Sequence, residues 1–349
     1  MKNKLLVICG PTATGKTSLG FKLAKKLSSR GRPASGWNGE IISADSRQVY
    51  KHMDIGTGKG LPINSKLQTL NSNLGFRNSD LGFYLIHGIK LWGYDLAEPN
   101  ERYNVSVYFK TIKYIISDIW MRGKLPIIVG GTGLYIKSII DGIPTVDIPK
   151  NDSLRESLEN LTVAQMYEKL ATLDSTKAAS LNSSDKLNPR RLVRAIEVAV
   201  WNIENETQKQ IVEKRKNVLD RDVDVLMVGL IANNSVLLNN IEKRVESRIE
   251  NGFIDEVENL LKMGVSWKDQ SMNSLGYKES EAFFKNGQTY EDFVSLWIKN
   301  EMKYVKRQIT WFKKDRRIKW FDIESLEYPK NVEKIVNKWY SSITNDTKN

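Results

Sequence analysis

The chain has 349 residues, 40% of them hydrophobic and 27% charged, which suits a soluble globular enzyme with a large buried core. A single cysteine excludes a disulfide framework or a cysteine-built zinc module and fits a reducing cytoplasm, and two histidines are too few for a histidine-built metal site. No apolar run approaches the roughly 20 residues that span a membrane and no signal-peptide pattern is present, while the net charge of +12 fits either a polyanionic partner or lysines that only solubilise.

Residues 5–9 (LLVIC) read as a buried strand, and Gly10-Pro11-Thr12-Ala13-Thr14-Gly15-Lys16-Thr17 follows at once. That string matches G-x-x-x-x-G-K-[ST], the phosphate-cradling loop. Its glycines let successive backbone N–H groups turn toward a phosphate, and the helix predicted over 18–27 adds the positive end of its dipole. Lys16 would pair with a phosphate oxygen, and Thr17 would offer its hydroxyl to Mg²⁺. The pattern says phosphate without saying which phosphorylated molecule.

Residues 28–38 are rich in Gly, Ser, Arg and Pro and read as a surface excursion. A second strand is predicted over 40–44, and Asp45, Ser46, Arg47 and Gln48 stand at its carboxyl end, the edge where open parallel sheets bind ligands. A carboxylate there can act as a general base or hold Mg²⁺ through water, with Arg47 and Gln48 as donors. Asp45 and Ser46 would serve equally well as caps of a following helix. Residues 64–82 form a second excursion, 102–121 a helix and 125–129 a strand. The strand runs into Gly130-Gly131-Thr132-Gly133, a turn that suits close ligand approach or a plain strand-to-helix corner. This alternation predicts an α/β fold: a P-loop NTPase-like parallel sheet with helices on both faces.

Over 149–216 the strand signal gives way to charged helical patterns, so an all-helical domain interrupts the core. The expected division is 1–145 for the first part of the core, 146–217 for the insertion, and 218–349 for the rest with its C-terminal helices. Arg190, Arg191 and Arg194 would cluster on the first turns of a helix, suited to a phosphate backbone or simply to solvent. Residues 223–232 return as a core strand, helices follow over 236–251, 254–263 and 290–313, and 318–321 is a short strand. The run KRQITWFKK (306–314) interleaves cations with aromatics, which can grip phosphates and stack on bases. At least one of Trp311 and Phe312 is expected in the core.

In chain order, GPTATGKT, EIISADSRQVYKHMDIGTGK (40–59), PIIVGGTGLYIKSIIDG (126–142), NPRRLVRAIEV (188–198), GFIDEVENLL (252–261), SLGYKE (274–279) and KRQITWFKK resemble the tRNA dimethylallyltransferases over nearly the whole chain. The resemblance implies transfer of a dimethylallyl group from dimethylallyl diphosphate to N6 of the adenosine immediately 3′ of the anticodon, releasing diphosphate. It turns Gly10–Thr17 into a cradle for a leaving diphosphate, with Mg²⁺ at Thr17 and Arg244 as a further ligand. It makes Asp45 the base at N6, with Lys16 and Thr132 beside it. The anticodon stem-loop would be held by Asp45, Ser46, Arg47, Gln48 and Thr132, and by Arg155, Arg190, Arg191 and Arg194 in the insertion. Asn273, Gly276, Tyr277 and Lys278, then Lys306, Arg307, Gln308, Thr310, Trp311 and Lys313, complete the RNA contacts it implies. The target base would leave its loop for a channel whose opposite mouth admits the donor. A cytoplasmic monomer is expected.

The chain departs from the family pattern in four places. Residues 28–38 and 64–82 are longer. Lys90-Leu91-Trp92 stands where relatives commonly carry Pro-His-His, and Arg248 where a methionine is common. None is expected to touch the phosphate loop, Asp45 or Thr132. One cysteine rules out a C-terminal zinc finger. Three other readings remain at this stage: prenylation of free AMP, ADP or ATP, a nucleotide-driven RNA-binding switch, and a kinase. The second lacks a strand ending in a metal-holding acid, since 223–231 ends without one.

Overall fold

Strand β1 (Lys4–Cys9) is buried along its whole length, which happens only where helices cover both faces of a sheet. The computed structural model describes residues 2–26, 39–69, 81–205 and 223–342, and the excursion at 28–38 lies outside them. The chain divides into two compact units, Met1–Ile140 with Leu219–Asn349, and Asp141–Val218.

The first unit is built on one sheet of eight strands among the described residues. After β1 and α1 (Lys16–Lys26) come β2 (Gly39–Ser43), β3 (Leu67–Thr69), β4 (Gly82–Ile86) and β5 (Ile89–Trp92). Helix α2 (Val105–Met121), β6 (Leu125–Val129) and α3 (Gly133–Asp141) follow, and after the second unit β7 (Asp224–Ile231). Then come α9 (Asn234–Glu250), α10 (Phe253–Lys262), α11 (Tyr277–Asn286), α12 (Tyr290–Phe312), β8 (Ile318–Asp322) and α13 (Tyr328–Ser341), α4 to α8 belonging to the second unit. The order β3-β4-β5-β2-β6-β1-β7-β8 is parallel from β5 to β8. Leu6 and Ile8 join a core with α1 and α13, while the alternate residues Leu5 and Val7 are buried on the opposite face. The doubly covered parallel sheet is the fold class the alternation predicts.

Two details differ from the sequence reading, and a third agrees with it. The described part of 64–82 includes β3, which pairs antiparallel with β4, as β4 does with β5, so the excursion extends the sheet at its edge. No helix follows β2: residues 46–49 are turn, and Asp45 accepts the Arg47 N–H at 2.8 Å, a side-chain turn two residues on instead of a helix cap. Of the aromatic pair at the end of α12, Phe312 is buried and Trp311 is 40% exposed, so one of the two is core.

Among the described residues the second unit has helices and no strand: α4 (Asp152–Leu158), α5 (Val163–Leu173), α6 (Ser175–Ser180), α7 (Ser183–Lys186) and α8 (Pro189–Glu204). Asn188 caps α8 by accepting the Arg191 N–H, with proline at the first helical position. Leu158, Met166, Leu170, Leu192 and Ile196 form its core. Buried Glu197 accepts from Arg155 Nε at 2.6 Å, Arg194 Nη1 at 3.0 Å and the Asn151 N–H at 3.0 Å. Burial alone would raise this carboxyl, but these donors outweigh it and hold Glu197 near 2. Its contribution is therefore complete above the ordinary value of 4.5 and is lost as pH falls through about 2. Thermal melts from pH 7 to 2 should show Glu197→Gln less stable than the parent at pH 7 and the gap closing on acidification. Parallel curves would contradict this role.

Candidate active site at the carboxyl edge of the sheet

The loop after β1 is shaped by close backbone contact. Gly10 has φ +132° and a Cβ there would lie 2.3 Å from the Leu230 carbonyl oxygen, so only glycine lets β1 and β7 leave the sheet side by side. Ala13 and Gly15 also take positive φ, and Lys16 opens α1. Lys16 Nζ donates to the Pro11 carbonyl. Burial first, then the charge of Arg244, pull the Lys16 ammonium down to about 8, with Asp45 opposing. From α9, Arg244 Nη1 donates to Thr12 Oγ1 at 2.6 Å.

Two neighbouring segments are tied to this loop. Gln308, buried on α12, accepts the Thr12 N–H at 2.9 Å and donates to the Gly131 carbonyl at 3.0 Å. The Thr132 hydroxyl accepts the Ser46 N–H at 3.1 Å while the Thr132 N–H donates to Ala44 O at 3.1 Å, which fixes the turn carrying Asp45. Beneath it, Tyr108 donates to Ser43 O at 3.0 Å and stacks on Tyr135 at 3.9 Å. Burial holds both phenols well above their usual range, so they remain neutral struts.

The loop at 53–60 forms a further wall. Glu256 on α10 accepts three successive backbone N–H groups, from Asp54 (2.7 Å), Ile55 (2.8 Å) and Gly56 (2.9 Å). A Cβ on Gly56 would strike the rings of Phe253 and Tyr277 at 2.5 Å. Lys59 is buried and donates to Asp95 and to the Tyr50 carbonyl, while Gln48 Nε2 donates to Gly58 O at 3.1 Å.

These walls enclose two adjoining cavities. The larger, ≈ 1110 Å³, takes Thr12, Ala13, Gly15, Lys16, Thr17, Asp45, Gln48, Arg244 and Arg248. The smaller, ≈ 490 Å³, takes Ser46, Arg47, Asn273, Lys278, Lys303 and Arg307. Thr12, Asp45, Thr57, Arg248 and Tyr304 line both. Asp45 thus stands where a phosphate-loop cavity meets a basic one.

Other residues named from the sequence lie elsewhere. Lys306, Thr310 and Trp311 on α12 and Lys313 just after it are exposed and line neither cavity, and the Trp311 indole lies over Gly133, where a Cβ would come within 2.1 Å. Gly276 and Tyr277 are buried and have internal parts: Tyr277 donates to Glu256, and Gly276 leaves room for the Trp297 ring, whereas buried Gln308 lines the larger cavity. In the second unit Arg155 and Arg194 are engaged by Glu197, Arg191 pairs with Asp185, and Arg190 is exposed. Arg248 lines the cavity of the phosphate loop and Asp45, contrary to the expectation that this departure stays clear of both. Sequence reasoning missed Glu256, Lys59, Tyr304 and Glu301. The first two sit inside quoted motifs, where a charge next to a glycine turn was the available signal; Glu301 carries none.

A parallel sheet with a GKT loop after its central strand and a carboxylate after the next one defines a P-loop α/β protein with a phosphate site at its carboxyl edge. A model described as IPP transferase matches residues 84–315, and one described as isopentenyl transferase matches residues 3–74. The tRNA dimethylallyltransferase of Carboxydothermus hydrogenoformans is 36% identical over 97% of this chain and 98% of that relative. The tRNA isopentenylpyrophosphate transferase of Bacillus halodurans has a similar structure, with a TM-score of 0.64 at 28% identity over 98% of each chain. A eukaryotic dimethylallyltransferase acting on tRNA, 21% identical, shares the fold at a TM-score of 0.74 over 97% of this chain and 80% of that one. The chain belongs to the IPP transferase family.

Because the Lys16 ammonium loses its proton near pH 8, anion binding above that pH must recover it. Titration calorimetry with inorganic pyrophosphate should show affinity weakening above pH 8 by up to about tenfold per unit relative to a Lys16→Ala control. A wild-type profile parallel to the control would contradict this.

Proposed function

We propose that the chain transfers the dimethylallyl group of dimethylallyl diphosphate to N6 of the adenosine immediately 3′ of the anticodon in tRNA. The observation that carries this reading is Asp45 at the boundary of the two cavities, one walled by the phosphate loop and the other by Arg47, Lys278, Lys303 and Arg307. The N6 lone pair is delocalised into the ring, so the amine is a poor nucleophile. As N6 bonds to C1 of the prenyl group, the C–O bond to diphosphate breaks and the N6 proton passes to the Asp45 carboxylate. Loop amides, Lys16 and Arg244 receive the charge that develops on the leaving diphosphate. Thr132 acts through the Ser46 N–H by holding the Asp45 turn.

Mg²⁺ fits the donor set. The Thr17 hydroxyl and the Asp45 carboxylate are hard oxygens in one cavity, and no cluster of three acidic, histidine or cysteine side chains exists among the described residues. Such a sparse set suits an ion held mostly by substrate phosphates and water. When bound it would neutralise charge on the departing diphosphate.

The basic cavity favours RNA over a free nucleotide as acceptor, because it gathers the cations Arg47, Lys278, Lys303 and Arg307, and the exposed Lys306, Trp311 and Lys313 stand within six residues of Arg307 in the chain. Asp45 is only half exposed, so the adenine must leave its stack to reach it. Asp45→Asn keeps an oxygen for the Arg47 N–H but cannot take a proton. It is expected to slow prenyl transfer to an anticodon stem-loop by about 10²–10⁴-fold in a radiolabel assay, with stem-loop affinity within twofold of wild type. Transfer to AMP but not to the stem-loop would overturn the RNA reading, and undiminished transfer would overturn the role of Asp45.

A further inference from the structure

Arg248 follows Arg244 by one helical turn on α9, so the two side chains share a face. Both reach one buried carboxylate on α12: Glu301 Oε2 lies 3.0 Å from Arg244 Nη2, and Glu301 Oε1 lies 3.3 Å from Arg248 Nη1. Two guanidiniums on one carboxylate leave an unbalanced positive charge in a place largely shut from water. Burial, and next the charge of Arg244, draw Arg248 down to about 10. The Nε atoms of both arginines are buried without a hydrogen-bond partner among the described residues. Gly58 leaves the space that the Arg248 guanidinium occupies, since a Cβ there would lie 2.4 Å from Nη2. Both arginines line the cavity of Lys16 and Thr17, and Arg248 also lines the basic one.

Resting on the function proposed above, we infer that Arg248 is a second guanidinium ligand of the donor's diphosphate, and that Glu301 is the positioning residue that presents it together with Arg244. An incoming diphosphate supplies the missing negative charge. A methionine at 248, as the family resemblance leads one to expect, would offer the diphosphate neither a positive charge nor an N–H donor. The same chemistry would suit an RNA backbone phosphate, but the shared carboxylate ties Arg248 to Arg244, which bonds the phosphate loop itself.

The test is calorimetric titration with inorganic pyrophosphate in Mg²⁺ buffer, alongside anticodon stem-loop binding and a melting curve for each variant. Arg248→Met is expected to weaken pyrophosphate at least about tenfold and leave stem-loop affinity unchanged. Arg248→Lys, read instead if the methionine variant does not fold, should weaken it several-fold. In a Glu301→Gln background the loss caused by Arg248→Met should shrink, since the guanidinium is no longer held in place. Unchanged pyrophosphate affinity, or a loss confined to the stem-loop, would overturn the inference. Full additivity of the two substitutions would overturn the role of Glu301. Wild-type protein that does not bind pyrophosphate, or binds it as well after Lys16→Ala, would overturn the diphosphate reading and this inference with it.

Discussion

The side-chain amide of Gln308 holds the site together. Its oxygen takes the Thr12 N–H and its nitrogen serves the Gly131 carbonyl, so one buried group on α12 fastens the phosphate loop to the turn after β6. Strands β1 and β6 are neighbours in the sheet, and their exits would otherwise diverge freely. Glycine at 131 is a condition of this bond, because a Cβ would sit 2.2 Å from the amide nitrogen. Thr132, the next residue, then braces the Asp45 turn, and the three segments become one rigid edge. Leaving either partner of such a buried amide unsatisfied costs about 1–3 kcal/mol, which a mobile loop could not offset.

Around that edge the charges follow a consistent plan. Lys16, Arg244 and Arg248 line the phosphate-loop cavity, Arg248 at its boundary with the second one, and Glu301 binds the two arginines without neutralising both. Arg47, Lys278 and Arg307 line the second cavity and give it a basic wall. The buried tyrosines near Asp45 are pushed up by burial and stay neutral, so they add no charge to the edge that carries it. Cys9, buried in β1 and raised to about 12, has no part in the chemistry.

What the sequence disclosed followed from local rules. A buried strand, glycines at a phosphate turn and a GKT end are recognisable because each residue's reason lies within a few positions of it. The parallel core and the helical insertion were legible for the same reason, through period and composition. Residues whose partners are distant in the chain were not. Glu256 looks like an ordinary helix acid until the N–H groups of 54–56 meet it across some 200 positions. The resemblance makes Gln308 and Tyr277 RNA contacts, yet packing turns both side chains inward. The hairpin of β4 and β5 was missed because its strands are short and border an insertion.

Arg248 illustrates the opposite case. Its sequence announced a departure from the family pattern, but only the fold reveals that the departure lies in the cavity. The motif that most resembles other P-loop proteins is therefore the least specific part of the site, and its meaning is set by the acid and cations around it. The most direct measurement of the central claim is a crystal structure with an anticodon stem-loop and a non-cleavable dimethylallyl diphosphate analogue. The account predicts the diphosphate on the amides of Gly10–Thr17, and adenine N6 within hydrogen-bond distance of Asp45 and facing the prenyl C1. An adenine held away from Asp45, or a donor bound outside the phosphate loop, would contradict it.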